Sequence, residues 1–381
     1  MANPTQDRLI RKEVALATIR AIEPPQGHIG LTIAPFREVA SDDVIFDYAK
    51  PTVTGLAPAR AEDAESELAQ KDTIYGGTGR AAVLDWAQKD HYTASDVSRY
   101  REAALIDARL GGVNGLRLPL VVGSQLEDMR RKFATDDVSR RRRLDNRIEW
   151  LIMTALSTGG ITYNDNKIRF TVDFVRPPGQ HDQVPAGGLW SLTTSDPIGD
   201  VKSVVQYMED THGIKISRAV TSQKVINSMI NSDRFIARTG LVVGGTPVSS
   251  PIDLDYVLPG WDNEAARRVV EAATGVSFQP YDSVYRTRPI GGTTTTNNRF
   301  FPQNKILFLP DPGQIADLED GDGLGFGKTL TSPHPEGNWQ AGFYEWERET
   351  EDPWGTDRGT GIKAFPVFPY MQYTFTMVPI A

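Results

Sequence analysis

Residues 124–160 read SQLEDMRRKFATDDVSRRRRLDNRIEWLIMTALSTGG, and the spacing of apolar residues in this stretch decides what kind of fold the chain can have. Leu126, Met129, Phe133, Leu144, Ile148, Leu151 and Ala155 recur at helical spacing, Ser124 with Glu127 has the form of a capping box, and Gly159-Gly160 supplies a stop. A continuous helix of that length runs about 50 Å at 1.5 Å per residue. Its single apolar stripe predicts a helix laid across a domain rather than buried inside one. The stripe lapses at Asp136-Asp137, where Thr135 is placed to cap a second segment, so the pattern admits one helix or two joined at a bend.

On the N-terminal side, residues 1–23 predict a short helix, with Asn3 as cap, Pro4 in the first turn and Pro24-Pro25 as the stop. Residues 29–53 then read as an extended, strand-like arm broken by Pro35 and Pro51. Residues 56–98 hold an acidic run from Glu62 to Glu67, the glycine-rich Tyr75-Gly76-Gly77-Thr78-Gly79, and an alternating stretch from Ala81 to Lys89. They read as a long two-stranded loop with a glycine-containing turn. Such a ribbon is marginally stable alone, which implies support from a neighbouring subunit; a surface loop is the alternative.

On the C-terminal side, residues 161–174 predict a hairpin turning at Tyr163 to Asn166, so strands share a layer with the long helix. The Pro- and Gly-containing linker from Arg176 to Gly188 marks a domain boundary. Beyond it, helix and strand alternate. A helix starts at Asp196-Pro197 and ends at Gly213, followed by a strand from Ile214, a helix capped by Ser222 and another from Asp262 to Gly275. A buried strand, Ile306-Leu307-Phe308-Leu309, comes next, and residues 365–380 read as an edge strand bounded by prolines. The class is α+β.

Composition narrows the chemistry. The 381 residues suffice for two or three packed regions, and 39% hydrophobic content fits a folded chain. There is no cysteine, so neither a disulfide framework nor a thiolate metal site exists, which suits a reducing cytoplasm. The longest apolar run, Trp150 to Leu156, is too short to span a bilayer, so no membrane partner is expected. A net charge of −8 argues against a dedicated duplex-DNA binder. Gly321 to Thr329 ends in Gly-Lys-Thr, but Asp322 stands where a phosphate loop needs glycine, and its charge repels phosphate. The five histidines lie at no metal-binding spacing, and the acidic residues Asp317, Glu319, Asp320 and Asp322 have Leu324 at a calcium-ligand position. No catalytic, cofactor or metal site is expected. What remains is a pair of opposite charge runs: Glu62, Glu65 and Glu67 on the loop, and Arg140, Arg141, Arg142 and Arg143 on the helix. The functional reading pairs them across a subunit boundary; the bland one leaves both solvated.

The order of these elements resembles the tailed-bacteriophage major capsid proteins, specifically the lambda-like capsid protein E family with its Hong Kong 97 fold. The resemblance is carried by Arg140 to Gly160 as the basic, then amphipathic spine helix, Val172-Asp173-Phe174 after the hairpin, Asp196-Pro197 at a helix entry, Phe301 to Leu307 as a late strand, and Asp352-Pro353 with Phe365-Pro366-Val367 near the end. Residues 291–300 do not align and read as a surface loop. The resemblance implies an N-terminal arm (1–55), an extended β-hairpin loop (56–98), a peripheral domain with the spine helix (99–187), an axial domain (188–340) and closing C-terminal strands (341–381). It also implies a virion shell protein, made in the host cytoplasm and assembled as hexamers and pentamers. Its implied partners are a scaffolding protein, a portal, packaged double-stranded DNA bound without sequence specificity, and in some relatives a decoration protein. An encapsulin-type nanocompartment shell shares the implied fold, and an enzyme with an unrecognised site is the alternative of another class.

Overall fold

The computed structural model describes residues 12–49, 75–100, 120–165, 168–229, 232, 242–243, 246–247, 263–288, 293–311, 326–351 and 354–381. The chain divides into two compact units. The first contains Met1–Val44, Ala82–Leu151 and Thr329–Pro366, and the second Ile45–Ala81, Ile152–Lys328 and Val367–Ala381.

The first unit is built on a five-stranded sheet whose middle strand is Trp354–Val367. Phe343–Glu351 pairs antiparallel with it, as does Asp85–Thr93. Lys328–Thr331 also pairs with it, and Phe36–Glu38 adds to Lys328–Thr331 in parallel. Asp85–Thr93 is therefore a sheet strand and not one leg of a projecting hairpin, a difference from the sequence reading. Register explains the glycines of the middle strand. Tyr344 lies opposite Gly361 and Trp346 opposite Gly359, and a Cβ on either glycine would collide with the facing ring. The glycines let both rings lie flat across the sheet, so they are packing positions rather than turn signals.

The long helix is continuous from Leu120 to Thr158, about 58 Å at 1.5 Å per residue. Ser124 falls inside it and is not its cap. No break occurs at Asp136-Asp137 because polar contacts replace the missing apolar ones: Tyr92 Oη donates to Asp136 at 2.8 Å, and buried Asp137 bonds Arg140 and Arg358. On either side, Phe133 packs edge-on to Tyr92 at 4.9 Å, and Leu144, Ile148 and Leu151 are buried. The helix stops at Gly159, which takes the left-handed conformation at φ 76°.

Nearer the N-terminus, helix covers Lys12–Ala21 and a one-turn helix covers Gly30–Ile33, where the sequence predicted strand. Glu149 of the long helix explains the latter. Its carboxylate accepts the N–H groups of Ile29 at 3.0 Å and Gly30 at 2.9 Å, satisfying the orphan donors of a helix start. The expected cap Asn3 and first-turn Pro4 lie outside the described residues.

In the second unit a four-stranded sheet runs in the order Ser277–Pro280, Ile216–Thr221, Ile306–Pro310, Phe375–Met377. The first pair is parallel and the other two antiparallel. Helices Pro197–His212, Gln223–Met229 and Asn263–Thr274 accompany it. Their apolar stripes and the sheet form one core that includes Val201, Met208, Val225, Val270, Phe308 and Phe375. Of the predicted helix ends here, Asp262 lies outside the described residues and the others are present. Asp196 accepts from Gly199 N at 3.0 Å, Ser222 Oγ accepts from Val225 N at 3.3 Å, and Gly213 and Gly275 end their helices at φ 65° and 72°. The hairpin Gly160–Asp165 with Ile168–Asp173 turns later than expected, because Tyr163 pairs with Phe170 and stacks on it at 5.4 Å.

The stretch from Arg176 to Gly188 is not a free linker. Gln183 N donates to Thr376 O at 3.0 Å and Val378 N to Gln183 O at 2.9 Å, which fastens it to the C-terminal edge strand. Buried Arg176 donates to Leu156 O at 2.6 Å and Thr374 Oγ1 at 2.9 Å. Pro and Gly there mark a change of direction, while the boundary between units falls at Leu151 and Ile152, inside the long helix. Within 291–300, Thr296–Arg299 pairs with Val284–Thr287 as a two-stranded ribbon rather than a loop. A second ribbon joins Asp43–Ala49 and Tyr75–Ala82, so the glycines of 76–79 sit in a strand and not at a turn.

Candidate assembly surface

The arginine run is split by the helix that carries it. Successive residues on a helix point about 100° apart, so four in a row cannot share one environment. Arg140 is 1% exposed, donates to Asp90 at 2.6 Å and to Thr360 Oγ1 at 3.1 Å, and pairs with Asp137 one turn earlier. Arg141 is also buried: it pairs with Asp145, its guanidinium lies 3.3 Å from the centre of the Phe343 ring, and burial pushes its pKa down to about 10. These two were expected as contacts to a neighbouring subunit. They are instead spent inside their own, because a cation facing the sheet finds carboxylates there and one facing away does not. Arg142 and Arg143 are exposed, and among the described residues Arg143 reaches only Gln88 Oε1, at 3.5 Å. Glu62, Glu65 and Glu67 lie outside the described residues.

Behind Arg140 sits a buried ionic cluster. Arg358, 0% exposed, pairs with Glu345, with Asp137 at 3.4 Å and with Glu347 at 3.5 Å. Burial pushes the Glu345 carboxyl up to about 7 in spite of Arg358. Burial likewise raises Asp137, against the pull of Arg358 and Arg140. The cluster fastens the long helix to the sheet, through Asp137 on the one and Glu345 and Arg358 on the other.

A different feature of the first unit faces outward. Pro333–His334 pairs with Gln340–Ala341, and between them Pro335–Gly337 forms a single 3-10 turn. Closing so tight a hairpin forces two adjacent non-glycine residues, Asn338 and Trp339, to φ 58°. Asparagine tolerates that conformation; tryptophan does not. Trp339 is nonetheless 73% exposed. It borders a cleft of about 520 Å³ lined also by Arg20, Glu38, Val39, Pro333 and Gln340. Sequence reasoning passed this site over, although Glu336-Gly337-Asn338-Trp339, with Gly342 beyond, is turn composition with an aromatic in the middle.

Among the described residues no group of histidine or carboxylate side chains is arranged to hold a metal ion, and no helix is long and apolar enough to cross a membrane.

A long helix bound to a sheet, an α/β unit and a two-stranded ribbon make a mixed helix and sheet fold of the Hong Kong 97 kind, and several solved structures are similar to the chain. A phage-related protein from Bordetella bronchiseptica RB50 superposes with a TM-score of 0.52 at 13% identity, over 96% of each chain. A putative prophage capsid protein of E. coli CFT073 gives 0.49 at 15% identity, over 81% of this chain and 82% of that one. The mature capsid of bacteriophage PhiM1 gives 0.45 at 11%, over 94% and 88%. The model of the phage major capsid protein E family matches residues 15–318, and the chain belongs to that family. It is a shell-forming structural protein. No curated protein sequence matches it significantly.

Proposed function

We propose that the chain forms the icosahedral head of a tailed phage, as hexamers and pentamers around packaged double-stranded DNA, after synthesis in the host cytoplasm. The family match over residues 15–318 carries this reading. A scaffolding protein and a portal complete the assembly, and DNA is held without sequence preference, consistent with a net charge of −8. In this reading the first unit is the peripheral domain, and most of 188–340 with the C-terminal strand is the axial domain at capsomer centres. The ribbon of Asp43–Ala49 and Tyr75–Ala82 is the base of an extended loop laid over a neighbour. A two-stranded ribbon lacks a core of its own, which supports a neighbour as its support. The acidic Glu62, Glu65 and Glu67 pair there with the exposed Arg142 and Arg143 of another copy.

Electron microscopy of the expressed protein, alone and with its scaffold, tests the first claim. Closed shells or tubes are expected; a strict monomer at high concentration in both cases refutes it. For the charge pairing, Glu62→Lys with Glu65→Lys and Glu67→Lys is expected to block assembly at low salt, and Arg142→Glu with Arg143→Glu to restore it in part. Normal assembly of the lysine variant refutes the pairing.

A further inference from the structure

We propose that the Trp339 turn is a self-complementary contact between two copies of this chain, each Trp339 packing against the same turn of the other about a local two-fold axis. The inference rests on the shell-forming reading and adds to it a residue-level contact.

Backbone energetics supply the first argument. A side-chain-bearing residue at φ near +58° is strained by about 1–2 kcal/mol relative to glycine, and Trp339 follows another such residue, Asn338. The turn is nevertheless well made. Trp339 N donates to His334 O at 3.1 Å, Asn338 N to Pro335 O at 3.1 Å, and His334 Nδ1 accepts from Glu336 N at 3.1 Å. Glycine at 339 would close the same hairpin without strain, so folding does not account for an indole there. Nor does packing within the subunit, since Trp339 is 73% exposed. The compensation lies outside the chain, where a tryptophan ring can bury a large apolar area and act as an anchor.

Charge identifies the partner as another copy. The cleft beside the ring carries one cation, Arg20, and one anion, Glu38, both exposed. Arg20 is held in place on one side only: Nε donates to Phe343 O at 3.1 Å and Nη1 to Gln340 Oε1 at 2.5 Å. Among the described residues Nη2 has no acceptor, and the Glu38 carboxylate has no donor. A two-fold axis through the turn would bring Arg20 of each copy toward Glu38 of the other, and Trp339 toward Trp339. A nucleic-acid phosphate would instead meet the unmatched carboxylate of Glu38.

The test uses assembled particles of the full chain. Trp339→Gly removes the ring and the strain together. Dissociated subunits are expected to melt at the same or a higher temperature, while assembly requires roughly thirtyfold more protein, the scale of a hot-spot residue. Because the chain has no cysteine, Trp339→Cys introduces its only thiol, and a short bis-maleimide is expected to join subunits in shells into dimers. Glu38→Arg weakens assembly, and adding Arg20→Glu restores it. The contact is overturned if Trp339→Gly assembles at the ordinary concentration, if Trp339→Cys shells give no dimer, or if the double exchange assembles no better than Glu38→Arg alone. Unaltered chain assembled in parallel separates the two claims. Shells from the unaltered chain alongside any of those results overturn this contact and leave the shell reading standing, whereas no shells even from the unaltered chain, with or without scaffold, overturn both.

Discussion

Replacing Arg358 by methionine isolates the element that joins the long helix to the sheet. The guanidinium is fully buried and faces three carboxylates, Glu345, Asp137 and Glu347, with Arg140 as the nearest other cation. Methionine fills much of the volume but leaves Glu345 and Asp137 buried without their main counter-charge. Breaking one side of a buried pair costs about 3–5 kcal/mol, far more than the net worth of the intact pair, because the remaining charge keeps its desolvation penalty. For a unit of this size each kcal/mol moves the melting temperature by about 2–4 °C, so a fall of about 6–20 °C is expected at pH 8. The loss shrinks at pH 5, because Glu345, already raised by burial, takes up a proton and no longer needs a cation. Adding Glu345→Gln to Arg358→Met should recover part of the stability, a positive coupling in a double-mutant cycle. Urea or thermal unfolding of dissociated subunits at both pH values is the assay. A deficit under about 1 kcal/mol, the size of an exposed pair, or one equal at pH 5 and pH 8, would refute the reasoning.

Two further outcomes follow from single residues. Glu345 in the folded chain holds a proton up to about pH 7 that the unfolded chain releases in the ordinary glutamate range. Its contribution is therefore fully present below that range and is lost as pH rises through about 7, and Glu345→Gln should flatten this decline in a series of melts. Val175 is a β-branched, exposed residue at φ 55°, with its N–H donating to Asp173 Oδ1 at 2.9 Å. Val175→Asn should stabilise the chain by about 1 kcal/mol in denaturant unfolding, since asparagine accepts this conformation and valine does not.

Local patterns were legible in the sequence wherever one segment contains its own explanation. Asp196 with Pro197, Ser222, Gly213 and Gly275 delimit helices through bonds within a few residues of themselves, and the structure places all four as expected. The run Ile306 to Leu309 is apolar without alternation because both of its neighbours are strands and both faces are covered. Patterns that answer to a distant partner were misread. Gly30–Ile33 is helical because of Glu149, and nothing near residue 30 announces a carboxylate more than a hundred positions away. Gly359 and Gly361 likewise carry no local signal of a strand, and their reason is Trp346 and Tyr344 set opposite them.

The arginine run makes the same point for the assembly surface. In sequence it is one feature of charge four, and pairing it whole with an acidic run is the natural reading. On a helix it becomes two unlike pairs, since Arg140 and Arg141 turn toward the sheet and Arg142 and Arg143 away from it. The inward pair must be neutralised within the subunit because a buried charge cannot wait for a partner to arrive. The outward pair, in water, can wait at little cost. Any contact with a neighbouring copy must therefore draw on exposed groups such as Arg142, Arg143, Trp339, Arg20 and Glu38. Of these, the turn at Trp339 is distinguished by strain: exposed charges cost the free subunit little, whereas a tryptophan held at positive φ in solvent costs it something that only a second surface can return.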